Sequence, residues 1–168
     1  RQCVITSYRA VATMDRKDAK GDDVLFHLAA EYDTRRVFDP AEDEPLRRAD
    51  SYKELKTLLE MIENWPYSKH VPTAYRIFAD MLFDKAMADV ADWAMPEGAY
   101  ARVHAADPKS IEAAYSSYRL GYVHAHLGDM KQAKESLERA TTEAAALGNE
   151  PHASEVLSAS RAARALMP

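Results

Sequence analysis

Apolar residues along this chain recur three, four and seven positions apart and almost never alternate, which is the spacing of helices with one buried face. Leu55, Leu58, Leu59 and Ile62 form one such series. Ile77, Met81 and Leu82 form a second, and Leu120, Val123 and Leu127 a third. The pattern predicts an all-α chain with helices near 2–16, 23–37, 47–64, 71–89, 93–105, 110–127, 130–147 and 150–166. The breaks between them have local causes. Lys17 to Asp22 reads as a charged turn holding Gly21, and Asp39 to Pro45 as an acidic, proline-flanked loop. Trp65-Pro66 and Asp107-Pro108 end helices, because the residue before proline is pushed out of the α region. Gly128-Asp129 and Gly148-Asn149 read as a C-cap followed by an N-cap, and Asp92 is placed to cap a helix starting at Trp93. Short connections make neighbouring helices antiparallel, so the chain is expected to be a row of helical hairpins.

A row of helix pairs invites a search for self-similarity. The clearest unit runs from Ala114 to Ala140 and carries Leu120-Gly121, then Gly128-Asp129, then Ala133, Leu137 and Ala140. It resembles the tetratricopeptide repeat: Leu-Gly in the first helix, glycine at the turn, and small-large-small residues in the second helix. Gly121 and Ala133 then allow close approach of the two helices, and Ala140 allows the next repeat to dock. The likeness departs from the family pattern at His124, Ser117 and Ala145. Residues 25–32, with Ala29 in the small position, match a first helix more loosely, followed by a second helix with Glu54 where a small residue is expected. Residues 75–82, with Ala79 in the small position, match another. The segment Trp65-Pro66-Tyr67-Ser68, followed by Val71-Pro72-Thr73-Ala74-Tyr75, is similar to the repeat domains of bacterial envelope, outer-membrane assembly and motility proteins.

The resemblance implies a single domain over 1–168, a right-handed α-solenoid of antiparallel helix pairs. Its parts would be a partial repeat at 1–16, repeats at 22–66, 71–108 and 112–146, and a capping helix at 150–167. It also implies a concave groove that binds a peptide or helix of another protein. Carried over position by position, the groove would be lined by Phe26 in the first repeat. Arg76, Asp80 and Phe83 would line it in the second, and Tyr115, Tyr118, Tyr122 and His126 in the third. The last four sit three, four and four residues apart, on one helix face. Tyrosine offers rigid apolar area with a polar tip, and Arg76 is suited to fork onto a carboxylate.

Composition narrows the function further. The 168 residues are 47% hydrophobic and 29% charged, enough for one sizeable core and too little for two large ones. The net charge of −5 argues against nucleic acid or an anionic membrane as partner. No apolar run approaches the roughly 20 residues that span a bilayer. A single cysteine, Cys3, excludes an internal disulfide, and Arg1-Gln2-Cys3 lacks the residues of a lipid-attachment site. The start at Arg1 without a signal-peptide pattern is what an excised or processed piece would show, and leaves a periplasmic or a cytoplasmic setting open.

No catalytic constellation is expected. His124 and His126 are two apart on a helix and point to different faces, and His27, His70, His104 and His152 lie on separate elements. The acidic loop Asp39, Glu42, Asp43, Glu44 lacks a calcium-loop pattern, and Arg35-Arg36 and Arg47-Arg48 beside it are expected to pair with it. Thr6-Ser7 and Ser116-Ser117 sit in no nucleophile elbow. The expected function is a non-enzymatic interaction scaffold without metal or cofactor, in a bacterial envelope assembly or motility complex. The alternative is a structural or oligomerising segment of a longer repeat protein, with Val4, Ile5, Tyr8 and Val11 as an exposed apolar edge.

Overall fold

A computed structural model describes the backbone of residues 2–14, 20–38 and 44–167, and the side chains of 3–10, 20–32 and 52–167. The described residues form eight helices and no strand. They are α1 (Gln2–Met14), α2 (Gly21–Phe38), α3 (Glu44–Asn64), α4 (Val71–Met87), α5 (Ala94–Ala106), α6 (Ile111–His126), α7 (Met130–Leu147) and α8 (Ala153–Leu166). None is long and apolar enough to cross a membrane. The chain divides into two compact units, residues 1–74 and 75–168, with the division inside α4.

In the first unit α2 packs against both α1 and α3. Its core is made of large side chains: Leu25, Leu28 and Tyr32 of α2, Leu58 and Met61 of α3, and Ile5 of α1, with Ala29 among them. Each such side chain contributes about 1.5–3 kcal/mol of burial. Ile5 is only 2% exposed and so is not part of the apolar edge expected on α1, whereas Val4 is exposed; Tyr8 is half-buried and stacks on His27 with ring centres 6.3 Å apart. Val11, the acidic loop at 39–43 and the arginine pairs expected to meet it fall outside the described side chains. Cys3 is an exposed free thiol.

The N-terminus of α2 is held by the turn after α3. A Cβ on Gly21 would lie 2.3 Å from Cζ2 of Trp65, so only glycine fits under the indole. The Ser68 hydroxyl donates to Asp22 Oδ2 at 2.6 Å and accepts from the His70 backbone N–H at 3.1 Å. The Trp-Pro-x-Ser segment therefore has a packing role inside this unit: the indole covers a helix start, and the serine ties that helix to the entry of α4.

In the second unit the residue pairs show each helix running antiparallel to the next. Glu97 of α5 meets His124 of α6, and Glu143 of α7 meets both His104 of α5 and Ser117 of α6. Glu138 and Arg164 join α7 to α8, while Ala144 and Val156 share a core cluster. The α6–α7 contact is closest at Gly121, where a Cβ would fall 2.6 Å from Leu137 Cγ and 3.4 Å from the Ala133 carbonyl oxygen. Ala133, Leu137 and Ala140 are fully buried, as is Ala79 on α4. Ala79, Leu82, Phe83, Ala99, Tyr100, Leu120 and Val123 form one core across α4, α5 and α6.

The caps explain where the helices stop. Ser110 accepts from the Ala113 N–H to open α6. Gly128, at φ 81°, closes α6: its N–H bonds to the Ala125 carbonyl, and that of Asp129 to His124. Asp129 then opens α7 by accepting from the Gln132 N–H at 2.9 Å. Three expected boundaries differ. Pro45 is the second residue of α3 rather than part of a loop, because a first-turn position has no N–H bond to lose. Asp92 does accept from the Ala94 N–H, but α5 begins at Ala94 with Trp93 at its N-cap, one residue later than expected. Asn149 does not cap α8, which begins only at Ala153 after a left-handed His152 at φ 65°.

Candidate functional site

Unit 75–168 contains an open pocket of about 360 Å³ between α4, the first half of α6 and the first half of α8. Arg76 stands on one wall, Ile111, Glu112, Tyr115 and Tyr118 form the floor, and His152, Glu155, Val156 and Ala159 form the far wall. The lining is mostly apolar, with polar groups at its rim.

The floor is positioned by a charged knot beneath it. Asp80 accepts from the Tyr100 hydroxyl at 2.6 Å and from Arg76 Nη1 at 2.9 Å. Arg119 donates to the Tyr115 hydroxyl at 2.6 Å, with its guanidinium 4.7 Å from the Phe83 ring centre and 5.2 Å from that of Tyr115. Arg76 lies 5.5 Å from the Tyr115 ring on the pocket side. Two arginines thus bracket Tyr115, and Asp80 balances the one that lines the pocket. Burial, and then the nearby Asp80 carboxylate, pushes the Tyr100 phenol far up and that of Tyr115 up as well. Tyr118 donates to the Tyr122 hydroxyl at 3.3 Å, with the two rings edge to face at 5.2 Å. Burial and this hydrogen bond push its phenol up to about 12, so the Tyr118 hydroxyl stays protonated across the physiological range.

The residues expected to share one groove are spread by the structure over five places. Arg76, Tyr115 and Tyr118 line the pocket, and Tyr122 adjoins it through Tyr118. Asp80 lies in the knot that orders Arg76. Phe83 is a core residue, 6% exposed and edge-on to Trp93 and Tyr100; it is one turn from Asp80 on the α4 face that meets α5 and α6. His126 lies at the other end of α6, stacked flat on Trp93 at 4.1 Å. Phe26 belongs to the first unit and stacks on His70 at 4.2 Å. His70 Nε2 donates to Asp23 Oδ1 at 2.6 Å. The far wall escaped sequence reasoning, since α8 read only as a cap. Its one legible trace is the three-residue spacing of Ala153, Val156 and Ala159.

A second concavity of about 260 Å³ lies against α5, α6 and α7, with Glu97, His104, His124 and Arg139 around it. Its polar groups largely satisfy one another. His104 donates to Glu143 Oε1 at 2.6 Å, and Ser117 donates to Oε2 at 2.7 Å and accepts from Arg139 Nε at 2.9 Å. His124 pairs with Glu97 at 3.3 Å and with Ser136 at 3.0 Å, on the opposite side from His126. No group of three or more His, Cys, Asp or Glu among the described residues is arranged to hold a metal ion.

No family model, curated protein or solved structure matches the chain. The likeness to tetratricopeptide repeats therefore rests on the residues alone.

Proposed function

We propose that this protein is a non-enzymatic interaction scaffold, and that the pocket between α4, α6 and α8 receives a peptide or helix of a partner protein. The observation that carries the reading is the pocket floor. Tyr115 and Tyr118 present broad, rigid, half-buried rings, held in place by Arg119 and Tyr122, in an open cleft whose far wall includes the apolar Val156 and Ala159. Rigid tyrosines lose little conformational entropy on binding, and the hydroxyl of Tyr118 can still accept from a backbone N–H of the partner. The close α6–α7 packing through Gly121, Ala133 and Ala140 supports reading the helix pairs as tetratricopeptide-like repeats of a solenoid. The Trp65-Pro66-Tyr67-Ser68 turn is the ground for placing it in a bacterial envelope or motility assembly.

The test is affinity capture from native extract with three baits: the wild-type chain, Tyr118→Ala, and Ala159→Phe, which fills the pocket from the α8 side. The expected result is one protein retained by wild type and lost from both variants, with helical circular dichroism unchanged in all three. Retention by both variants would move the site off this pocket. If wild type retained nothing, the scaffold reading would give way to a structural segment with an empty groove.

A further inference from the structure

The opposite end of α6 carries a different surface, and it is independent of the pocket. Four large apolar side chains there are strongly exposed: Met87 at the end of α4, Val90 in the α4–α5 connection, Met95 in the first turn of α5, and Leu127 just past α6. Each lies close in sequence to a member of a single aromatic stack. The Phe83 ring meets Trp93 edge-on at 5.4 Å, and Trp93 lies flat on His126 at 4.1 Å. Met87 is one turn beyond Phe83, Val90 and Met95 flank Trp93 within three residues, and Leu127 follows His126.

The backbone holds Val90 outward. Asp89 is left-handed at φ 56°, its N–H bonds to the Ala86 carbonyl, and the Val90 N–H bonds to that of Lys85. This is the six-to-one, five-to-two closure that glycine makes at Gly128, here made by an aspartate at a cost of about 1 kcal/mol. In such a closure the residue after the left-handed one commonly folds its apolar side chain back onto the helix. Val90 does not; it is 74% exposed.

The charge around this patch selects an occupant. Asp84, Asp89, Asp92 and Glu97 fall between residues 84 and 98, with Lys85 the one cation in that stretch. Asp129, beside Leu127, is held below the ordinary carboxyl range by the Gln132 backbone N–H, so its charge persists into mild acid. A second copy on a two-fold axis would set these carboxylates against one another, and an anionic lipid surface would repel them. Two methionines give a soft face able to repack around a helix. We propose that this end of unit 75–168 docks a basic amphipathic helix of a partner protein. Met87, Val90 and Met95 receive its apolar face, and Asp84, Asp89 and Asp92 its lysines or arginines.

The proposal is tested by methyl NMR of the full chain labelled at methionine. The probes are two synthetic amphipathic helices of about five turns, one of leucine and lysine, one of leucine and glutamate. The expected result is saturable movement of the Met87 and Met95 methyl signals with the lysine peptide and none with the glutamate peptide. Binding should weaken at least tenfold in Val90→Ser and in Asp89→Asn with Asp92→Asn, and should be unchanged in Tyr118→Ala. Equal response to both peptides, no response at millimolar peptide, or binding that survives Val90→Ser would overturn it. So would a concentration-dependent mass that Val90→Ser abolishes, which would assign the face to a second copy.

Discussion

Gly121 and Gly21 are each the tightest approach at a glycine in their own unit, yet they solve different problems. Gly121 sits in the middle of α6, and its missing side chain lets a whole helix, α7, lie close along it, with Leu137 filling the space. The neighbours are alanines, Ala133 and Ala140, so the interface is narrow and gains from backbone proximity. Gly21 begins α2, and its missing side chain admits the Trp65 ring from a turn. The α2–α3 core nearby is instead built from Leu25, Leu28, Tyr32, Leu58 and Met61, which bury area with large side chains. One unit is registered by the absence of side chains along a helix pair. The other is held by bulk, with one aromatic pinning a helix end. The first device follows helical spacing and is recognisable in sequence; the second depends on two residues 44 positions apart and has no periodic signature.

Three experiments would break or sharpen this contrast. Gly121→Leu should have the largest effect, a loss of about 1–3 kcal/mol and several degrees of melting temperature, because α7 cannot yield along its length. Adding Leu137→Ala should restore part of it. Strictly additive losses would show that the two residues do not share the contact. Gly21→Ala should cost less, on the order of 1 kcal/mol net. Replacing glycine in a helix normally gains about 0.5–1 kcal/mol, but the indole face is not a flexible chain tip, so overpacking wins. Trp65 emission, followed in a Trp93→Phe background, reads this unit alone; a rise in stability would mean the ring moves aside freely.

The smallest effect is in acid. Asp23 in the first unit lies below the ordinary carboxyl value of 3.8, chiefly through the His70 hydrogen bond and then Lys69. Asp129 in the second is lowered chiefly by the Gln132 backbone N–H. A carboxyl with a depressed folded pKa stabilises above its unfolded value and loses that contribution as pH falls through the folded one. Melting temperature should therefore drop below about pH 4. Asp23→Asn should flatten that drop for the Trp65 signal and Asp129→Asn for the Trp93 signal. A curve for Asp23→Asn parallel to wild type would show that the His70 pair contributes no stability.

The helices themselves were legible because their causes are local. Apolar spacing, the prolines at 66 and 108, Gly128 and the capping Asp129 act within a few residues, and the observed helix ends lie close to those the pattern predicts. The small-residue positions Ala29, Ala79, Gly121, Ala133 and Ala140 were picked out by the likeness to tetratricopeptide repeats, and all five lie buried. The pocket was only half legible. Tyr115 and Tyr118 share a face of α6 by helical spacing and were assigned to a groove by the resemblance, but the wall from Val156 and Ala159 exists only because α8 folds back beside α6. That return depends on long-range packing through Ala144 and Leu157. Phe83 and Arg76 share one helix, and only tertiary packing placed the first in the core and the second at a rim. Helix periodicity determines which residues share a face; which face finds a partner is decided by the elements that arrive from elsewhere in the chain.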